Sequence, residues 1–188
     1  MNITREDAWT LLCEYTASES LRRHALGVEK AMRKMAELFD GDVDEWGITG
    51  LIHDFDYEMY PTKEEHPFKG NKILEEKGYP ENIRKAVMGH ATYSGVPRDT
   101  LMAKALYAVD ELVGFIFAVT YVRPSKSIMD VTPKSVKKKF KQKAFAAAVN
   151  REDIFTGVEE LGVDMTEHIQ RVIDALKASA EELGLDGS

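Results

Sequence analysis

Apolar residues recur along this chain at steps of three and four, the period of helices with one buried face. Thr4 with Asp7 reads as a capping pair opening a short helix through Trp9, Leu12 and Cys13 to about Tyr15. Ser18 or Ser20 caps a longer helix to Phe39, on which Leu21, His24 with Ala25, Val28, Met32, Met35 and Leu38 or Phe39 form the inward stripe. After a break at Gly41-Asp42, a helix runs from about Val43 through Trp46, Leu51 and Ile52 to Asp54. Residues 55–66, with Pro61 and an acidic, Lys-rich middle, read as a surface loop. Pro67 at a first turn and Gly78 as a stop bound a helix carrying Ile73 and Leu74, which puts His66 at a helix start.

Pro80 begins a helix whose Ile83, Val87 and His90 share a face, and residues 91–99 form a loop. The helix from about Leu101 to Tyr121 carries Leu106, Val109, Leu112, Val113 and Ile116, with Asp110 on the same stripe. Thr132-Pro133 is an N-cap with Pro at the first helical position. That helix holds Lys137, Lys138, Lys139, Lys141 and Lys143, interrupted by Val136, Phe140, Ala144 and Phe145, and reads as a solvated basic face over an apolar one or as a face toward an anionic substrate. Asn150 caps a short helix to Leu161, and Thr166 starts a last one through Ile169, Val172, Ile173, Leu176 and Leu183 to Gly184. No period-two alternation, Asn-Gly hairpin or internal repeat interrupts this pattern. The expected fold class is all-α, a single domain of eight or nine helices.

Histidine placement changes the picture from a plain bundle to a site. The chain has five histidines. Four of them fall in one ordered series with two carboxylates: His24, the adjacent pair His53-Asp54, His66, His90 and Asp110. A His-Asp pair at the end of an apolar helix is costly to bury without a partner, and a metal ion is one such partner. On His24 alone the choice between ligand and core histidine stays open. The fifth, His168, lies outside the series and reads as surface. Nitrogen and oxygen donors without thiolate favour iron, manganese, cobalt, nickel or zinc over calcium. The set exceeds what one tetrahedral zinc needs and approaches what two ions need when one carboxylate bridges. Two divalent ions roughly 3.5–4 Å apart clamp an in-line attack on phosphorus and make hydroxide available near neutral pH, and amide hydrolysis would use the same activated water.

A net charge of -7 argues against a broad nucleic-acid surface. The single cysteine, Cys13, excludes an internal disulfide and a Cys-based zinc site, fits a reducing compartment, and reads as a core thiol beside Leu11 and Leu12. Met1–Asp7 has neither a basic start nor an apolar core, so no signal peptide is expected. The apolar run Leu112–Val122 is about half of the roughly 20 residues a bilayer requires. A cytoplasmic protein without a membrane or nucleic-acid polymer as partner is the expectation.

Arg23-His24, His53-Asp54 after Gly50-Leu51-Ile52, and Asp110 after Ala108-Val109 resemble the H…HD…D signature of the HD-domain metal-dependent phosphohydrolases. His66-Pro67-Phe68-Lys69-Gly70 and Gly89-His90 resemble the additional histidines of the dinuclear, HDIG-type branch. The resemblance covers about residues 20–125; the helical extension over about 132–188 lies beyond it and either covers the site or forms a homodimer contact. It implies that His24, His53, Asp54 and Asp110 hold one divalent transition metal and His66 and His90 a second. Asp54 bridges the two, and a shared hydroxide is the nucleophile toward a phosphoester or phosphoanhydride of a small molecule. By resemblance that molecule is a nucleotide. The alternatives are a metal-binding sensing module without turnover and a di-iron oxygenase.

This chain departs from the family after His53-Asp54. It reads Phe-Asp-Tyr where many relatives have Ile-Gly and then a Lys serving substrate phosphate. The cation must come from elsewhere, and Lys69, Arg98, Arg123 and Lys126 are the substrate-binding candidates by position. Asp56 is either a catalytic carboxylate, orienting water or acting as general acid beside Asp54, or an ordinary loop carboxylate. The Gly78–Pro80 turn is not the extended signature of cyclic-di-GMP phosphodiesterases, so that substrate is not expected.

Overall fold

The computed structural model describes residues 3–188 and shows nine α-helices and no strand among them. Met1 and Asn2, part of the stretch read for a leader, lie outside the described residues. The helices are α1 (Arg5–Tyr15), α2 (Glu19–Leu38), α3 (Val43–Ile52), α4 (Phe68–Glu76), α5 (Glu81–His90), α6 (Leu101–Tyr121), α7 (Pro133–Phe140), α8 (Arg151–Leu161) and α9 (Met165–Lys177). Short 3-10 turns occupy Thr92–Ser94 and Ile128–Asp130. No helix is long and apolar enough to cross a membrane.

The starts obey capping chemistry. Thr4 and Asp7 form a reciprocal capping box, Ser18 caps α2, and Asp42 accepts from the Asp44 and Glu45 amides. Thr132 caps α7 with Pro133 in its first turn, and Asn150 caps α8. Two ends differ from expectation. α3 stops at Ile52 with His53 as its C-cap, which turns the His-Asp pair out of the helix. α9 stops at Lys177 and begins after Asp164, whose carboxylate takes the Thr166 and Glu167 amides and displaces Thr166 as the cap. Turns, not helix, then lead to Leu183 and Gly184.

The centre of the molecule is α6, packed against α2, α5, α7, α8 and α9. Leu106, Val109, Leu112, Val113, Phe115 and Ile116 on it are buried, so the helix is wrapped on most of its circumference. Glycines set two close crossings. A Cβ at Gly27 would meet Val113 Cγ1 at 2.9 Å, and one at Gly157 would meet the Ala108 Cα at 2.7 Å, so α2 and α8 approach α6 where only glycine fits. α7–α9 therefore pack on the same core as α1–α6. Ser127 and Asp186 form an isolated bridge that ties the end of the described chain to the segment after α6.

His168 corrects the surface expectation. It is fully buried, and its Nε2 donates to the Ala108 carbonyl at 3.0 Å, while burial holds its pKa below the ordinary 6.5. The signal was available, since His168 stands four residues before Val172 on the buried face of α9. Cys13 is half-buried, less enclosed than its neighbours Leu11 and Leu12.

Candidate metal centre

Five elements converge on one point. α2 brings His24, the C-terminal end of α3 brings His53 and Asp54, the loop before α4 brings His66, α5 ends on His90, and α6 brings Asp110. Asp110 Oδ1 lies 3.0 Å from His24 Nε2 and 3.2 Å from His53 Nε2. Asp54 faces both ways: its Oδ2 is 3.5 Å from His53 Nε2, and its Oδ1 is 3.2 Å from His66 Nε2 and 3.0 Å from His90 Nε2. Two groups result that could hold a metal ion, His24–His53–Asp54–Asp110 and Asp54–His66–His90, with Asp54 common to both.

Three of the imidazoles are oriented through their other nitrogen. His53 Nδ1 donates to the Gly50 carbonyl at 2.8 Å, His90 Nδ1 donates to the Val87 carbonyl, and His66 Nδ1 donates to Asp56 Oδ1 at 2.8 Å. A carbonyl only accepts, so Nδ1 carries the proton and Nε2 is the free donor atom, the arrangement typical of metal-ligating histidine. His53 Nε2 is buried without a hydrogen-bond partner. An orphaned, aimed nitrogen among two carboxylates is what a cation would satisfy. His53 and His90 also stand at the carbonyl ends of α3 and α5, where the helix dipole favours positive charge.

The local field agrees. Burial alone would lower the His53 pKa, but Asp54 and Asp110 outweigh it and hold it well above 6.5. His66, opposed by burial and supported by Asp54 and Asp56, is raised to about 9. Burial would raise Asp54, yet His53, His66 and His90 hold it well below the usual carboxylate range, and Asp110 is lowered likewise by His53 and His24 against its own burial. The centre favours positive charge, and the donor set fits divalent transition ions.

The structure moves the other site expectations. Asp56 is fully buried behind His66, accepting from His66 Nδ1 and, at 2.9 Å, from the Gly70 amide. It faces away from the centre and orients a ligand, which corrects its reading as a general acid. Arg98 forms a two-pronged pair with Glu160 at 2.7 Å on each side, donates to the Gly89 carbonyl and lies 3.7 Å over the Tyr107 ring. It is a strut between α5 and α8. Lys69 pairs with Glu65 at 2.8 Å outside the cavity. Arg123 lines a separate depression with Lys138 and Lys139 beyond the end of α6, and Lys126 is an exposed turn residue with positive φ. Lys137 donates to Thr166 on the outer face, so the lysine run lies off the centre.

A cavity of about 680 Å³ opens over the metal-ligand groups, lined by His24, Asp54, His66, His90 and Asp110 on its floor. Its walls include residues that motif reasoning missed: Tyr57, Lys63, Tyr93, Tyr107, Glu111, Asn150 and Asp153. Tyr57 sets its ring edge-on to His66 at 5.4 Å, and the Lys63 ammonium stands 5.5 Å from the Tyr93 ring. Tyr107 donates to Asp153 at 2.7 Å, and Glu111 accepts from the Asn150 amide at 3.1 Å. Burial, with Asp110 beside it, pushes the Glu111 carboxyl up to about 8.

The family model of the HD domain matches residues 21–113, the stretch that supplies all six candidate ligands. Over those residues the chain is an HD domain, the domain of a superfamily of metal-dependent hydrolases. The comparisons with curated proteins and with solved structures give no match.

Proposed function

We propose that this protein is a dinuclear metal-dependent phosphohydrolase acting on a small phosphorylated molecule, for which superfamily membership favours a nucleotide. One observation carries the reading: Asp54 Oδ1 lies within 3.2 Å of both His66 and His90 Nε2 while its Oδ2 faces His53, the placement of a bridging carboxylate. His24, His53, Asp54 and Asp110 would hold one ion, and Asp54, His66 and His90 the other. When bound, the ions supply a water of lowered pKa and offset charge on phosphorus.

The chain's own groups do the rest. Asp56 and the Gly50 and Val87 carbonyls fix the imidazoles, and Lys63 on the cavity wall supplies the cation that the family places after its His-Asp pair. In the reaction, a water oxygen forms a bond to phosphorus and the ester P–O bond breaks. One water proton ends on the leaving oxygen and the product is inorganic phosphate.

Elemental analysis of protein purified without added metal, followed by phosphate release from p-nitrophenyl phosphate and a nucleotide panel, tests this. Near two equivalents of transition metal with phosphate release is expected. Two equivalents without release from any phosphoester overturns the hydrolase reading in favour of ligand sensing. Iron with redox-dependent absorption and oxygen uptake overturns it in favour of an oxygenase.

A further inference from the structure

The lysine run is a motif of the sequence that the metal centre leaves unused. Between Arg123 and Lys143 stand eight Lys or Arg and a single acid, Asp130, in a chain whose net charge is -7. Net charge is a sum, whereas the field at a surface is set by charges within a Debye length, about 8 Å at physiological salt. The segment after α6 and the exposed face of α7 are therefore strongly positive on an acidic molecule.

Packing joins these cations into one surface. Lys134, Lys137, Lys138 and Lys141 follow the i, i+3, i+4, i+7 spacing of a helix face and line one depression of about 520 Å³ with Thr166. Lys138 also lines a second, of about 290 Å³, with Arg123, Lys139 and the apolar Val122 and Pro124. Neither depression is lined by a carboxylate. Elsewhere Lys30, Lys34, Lys77 and Lys85 each meet a carboxylate within 3.4 Å. Among the described residues none of the eight cations does; Lys137 and Lys139 donate to the neutral Thr166 and Gln142. Asp164, at the start of α9, spends its carboxylate on the Thr166 and Glu167 amides. Like charges four apart thus oppose one another along α7, and an anionic partner removes that repulsion.

The groups around the cations select the partner. Single-stranded nucleic acid needs aromatic platforms for its bases, and no aromatic side chain lines either depression. Val122 instead stands 55% exposed beside Arg123, Lys138 and Lys139, an apolar side chain set among cations. That combination suits a bilayer, whose headgroup phosphates meet the cations while the apolar side chain enters the interface. With no helix long and apolar enough to cross a membrane, the contact is peripheral.

We propose that Val122, Arg123 and the lysines of α7 dock this protein on an anionic lipid bilayer. The proposal replaces the expectation, drawn from net charge, that no membrane is a partner. It goes beyond the hydrolase reading and holds whether or not the metal centre cleaves phosphoesters.

The full chain as purified is sedimented with vesicles of phosphatidylcholine alone or with about one third phosphatidylglycerol. The anionic vesicles are expected to bind at least about tenfold tighter at about 0.1 M salt and to release the protein as salt rises. The triple variant Lys134→Gln, Lys138→Gln, Lys141→Gln should weaken that binding at least about 30-fold, since each basic residue near such a surface contributes roughly fivefold. The triple variant Lys30→Gln, Lys77→Gln, Lys85→Gln changes net charge equally and should leave binding within about twofold, because charges far from the bilayer are screened. Val122→Ser should weaken vesicle binding about threefold. All three variants should keep wild-type circular dichroism and metal content.

Absence of a preference for anionic vesicles, an α7 variant that binds like the wild type, or an equal loss in the control variant overturns the proposal. So does a Val122 variant that binds vesicles as tightly as the wild type. Tighter binding of a thymidine oligonucleotide or of polyglutamate than of anionic vesicles overturns it as well, and assigns the surface to a soluble polyanion.

Discussion

The Nε2 atoms of His66 and His90 lie 3.3 Å apart, and Asp54 Oδ1 touches both. Two imidazole nitrogens that close form a stable arrangement only around a shared positive charge. His66→Ala or His90→Ala should therefore lower metal content from near two equivalents to near one. Asp54→Ala, common to both groups, should remove both ions and reduce hydrolysis to background. Elemental analysis after dialysis reads the stoichiometry, and an Asp54 variant that retains two ions would show that the bridge is misplaced.

Asp56 acts through His66. A Cβ at Gly70 would sit 2.6 Å from the Asp56 carboxylate, and the Gly70 amide is one of that carboxylate's two partners. Gly70→Ala should push the carboxylate away, and Asp56→Asn should weaken its hold on His66 Nδ1. Loss of such an outer partner typically costs roughly 10- to 100-fold in metal affinity. Competition with a chelator should show that loss for one ion and leave the other within about twofold.

Gly157 sets the distance between α8 and α6. With only 2.7 Å to the Ala108 Cα, a methyl group at 157 cannot be absorbed by a side-chain rotation. Overpacking of this kind costs about 1–3 kcal/mol. Gly157→Ala should lower the melting temperature and, because Asp153 stands one turn earlier on the same face, raise KM more than it lowers kcat. Metal stoichiometry should not change.

His168 makes stability depend on pH. Its folded pKa is lowered by burial, so at pH values below 6.5 the unfolded chain takes up a proton that the folded chain resists. The stability that the neutral ring contributes is complete above pH 6.5 and is lost as pH falls below it toward the depressed folded value. Urea denaturation at pH 7.5 and 5.5 should show a larger drop for the wild type than for His168→Leu. The variant should be less stable at pH 7.5, by about 1 kcal/mol for the lost hydrogen bond to the Ala108 carbonyl. Equal drops in both proteins would assign the pH dependence to other groups.

What was legible in the sequence follows from periodicity and caps. Helical spacing alone puts His24, His90 and Asp110 on inward stripes, and the apolar residues of α6 outnumber what one face can hold, which marks it as a core helix. Lys63 was not legible. It lies in a loop without a period, and its approach to Tyr93 depends on how residues 55–66 fold back over the centre. Asp56 shows a second limit: which way a carboxylate two residues after His53-Asp54 points is decided by the Gly70 amide, fourteen positions away. The positional cations Arg98 and Lys69 were drawn elsewhere by Glu160 and Glu65, partners that no local motif announces.

The cavity is assembled from two stretches of chain with different duties. Every candidate ligand lies within residues 21–113, whereas Asn150 and Asp153 on the facing wall come from beyond them. Floor and wall are thus separable in the chain: a substitution at Asn150 or Asp153 alters the wall and touches no candidate ligand. A likeness read from the histidines therefore speaks for the floor of the cavity, and the wall has its own signature at the start of α8.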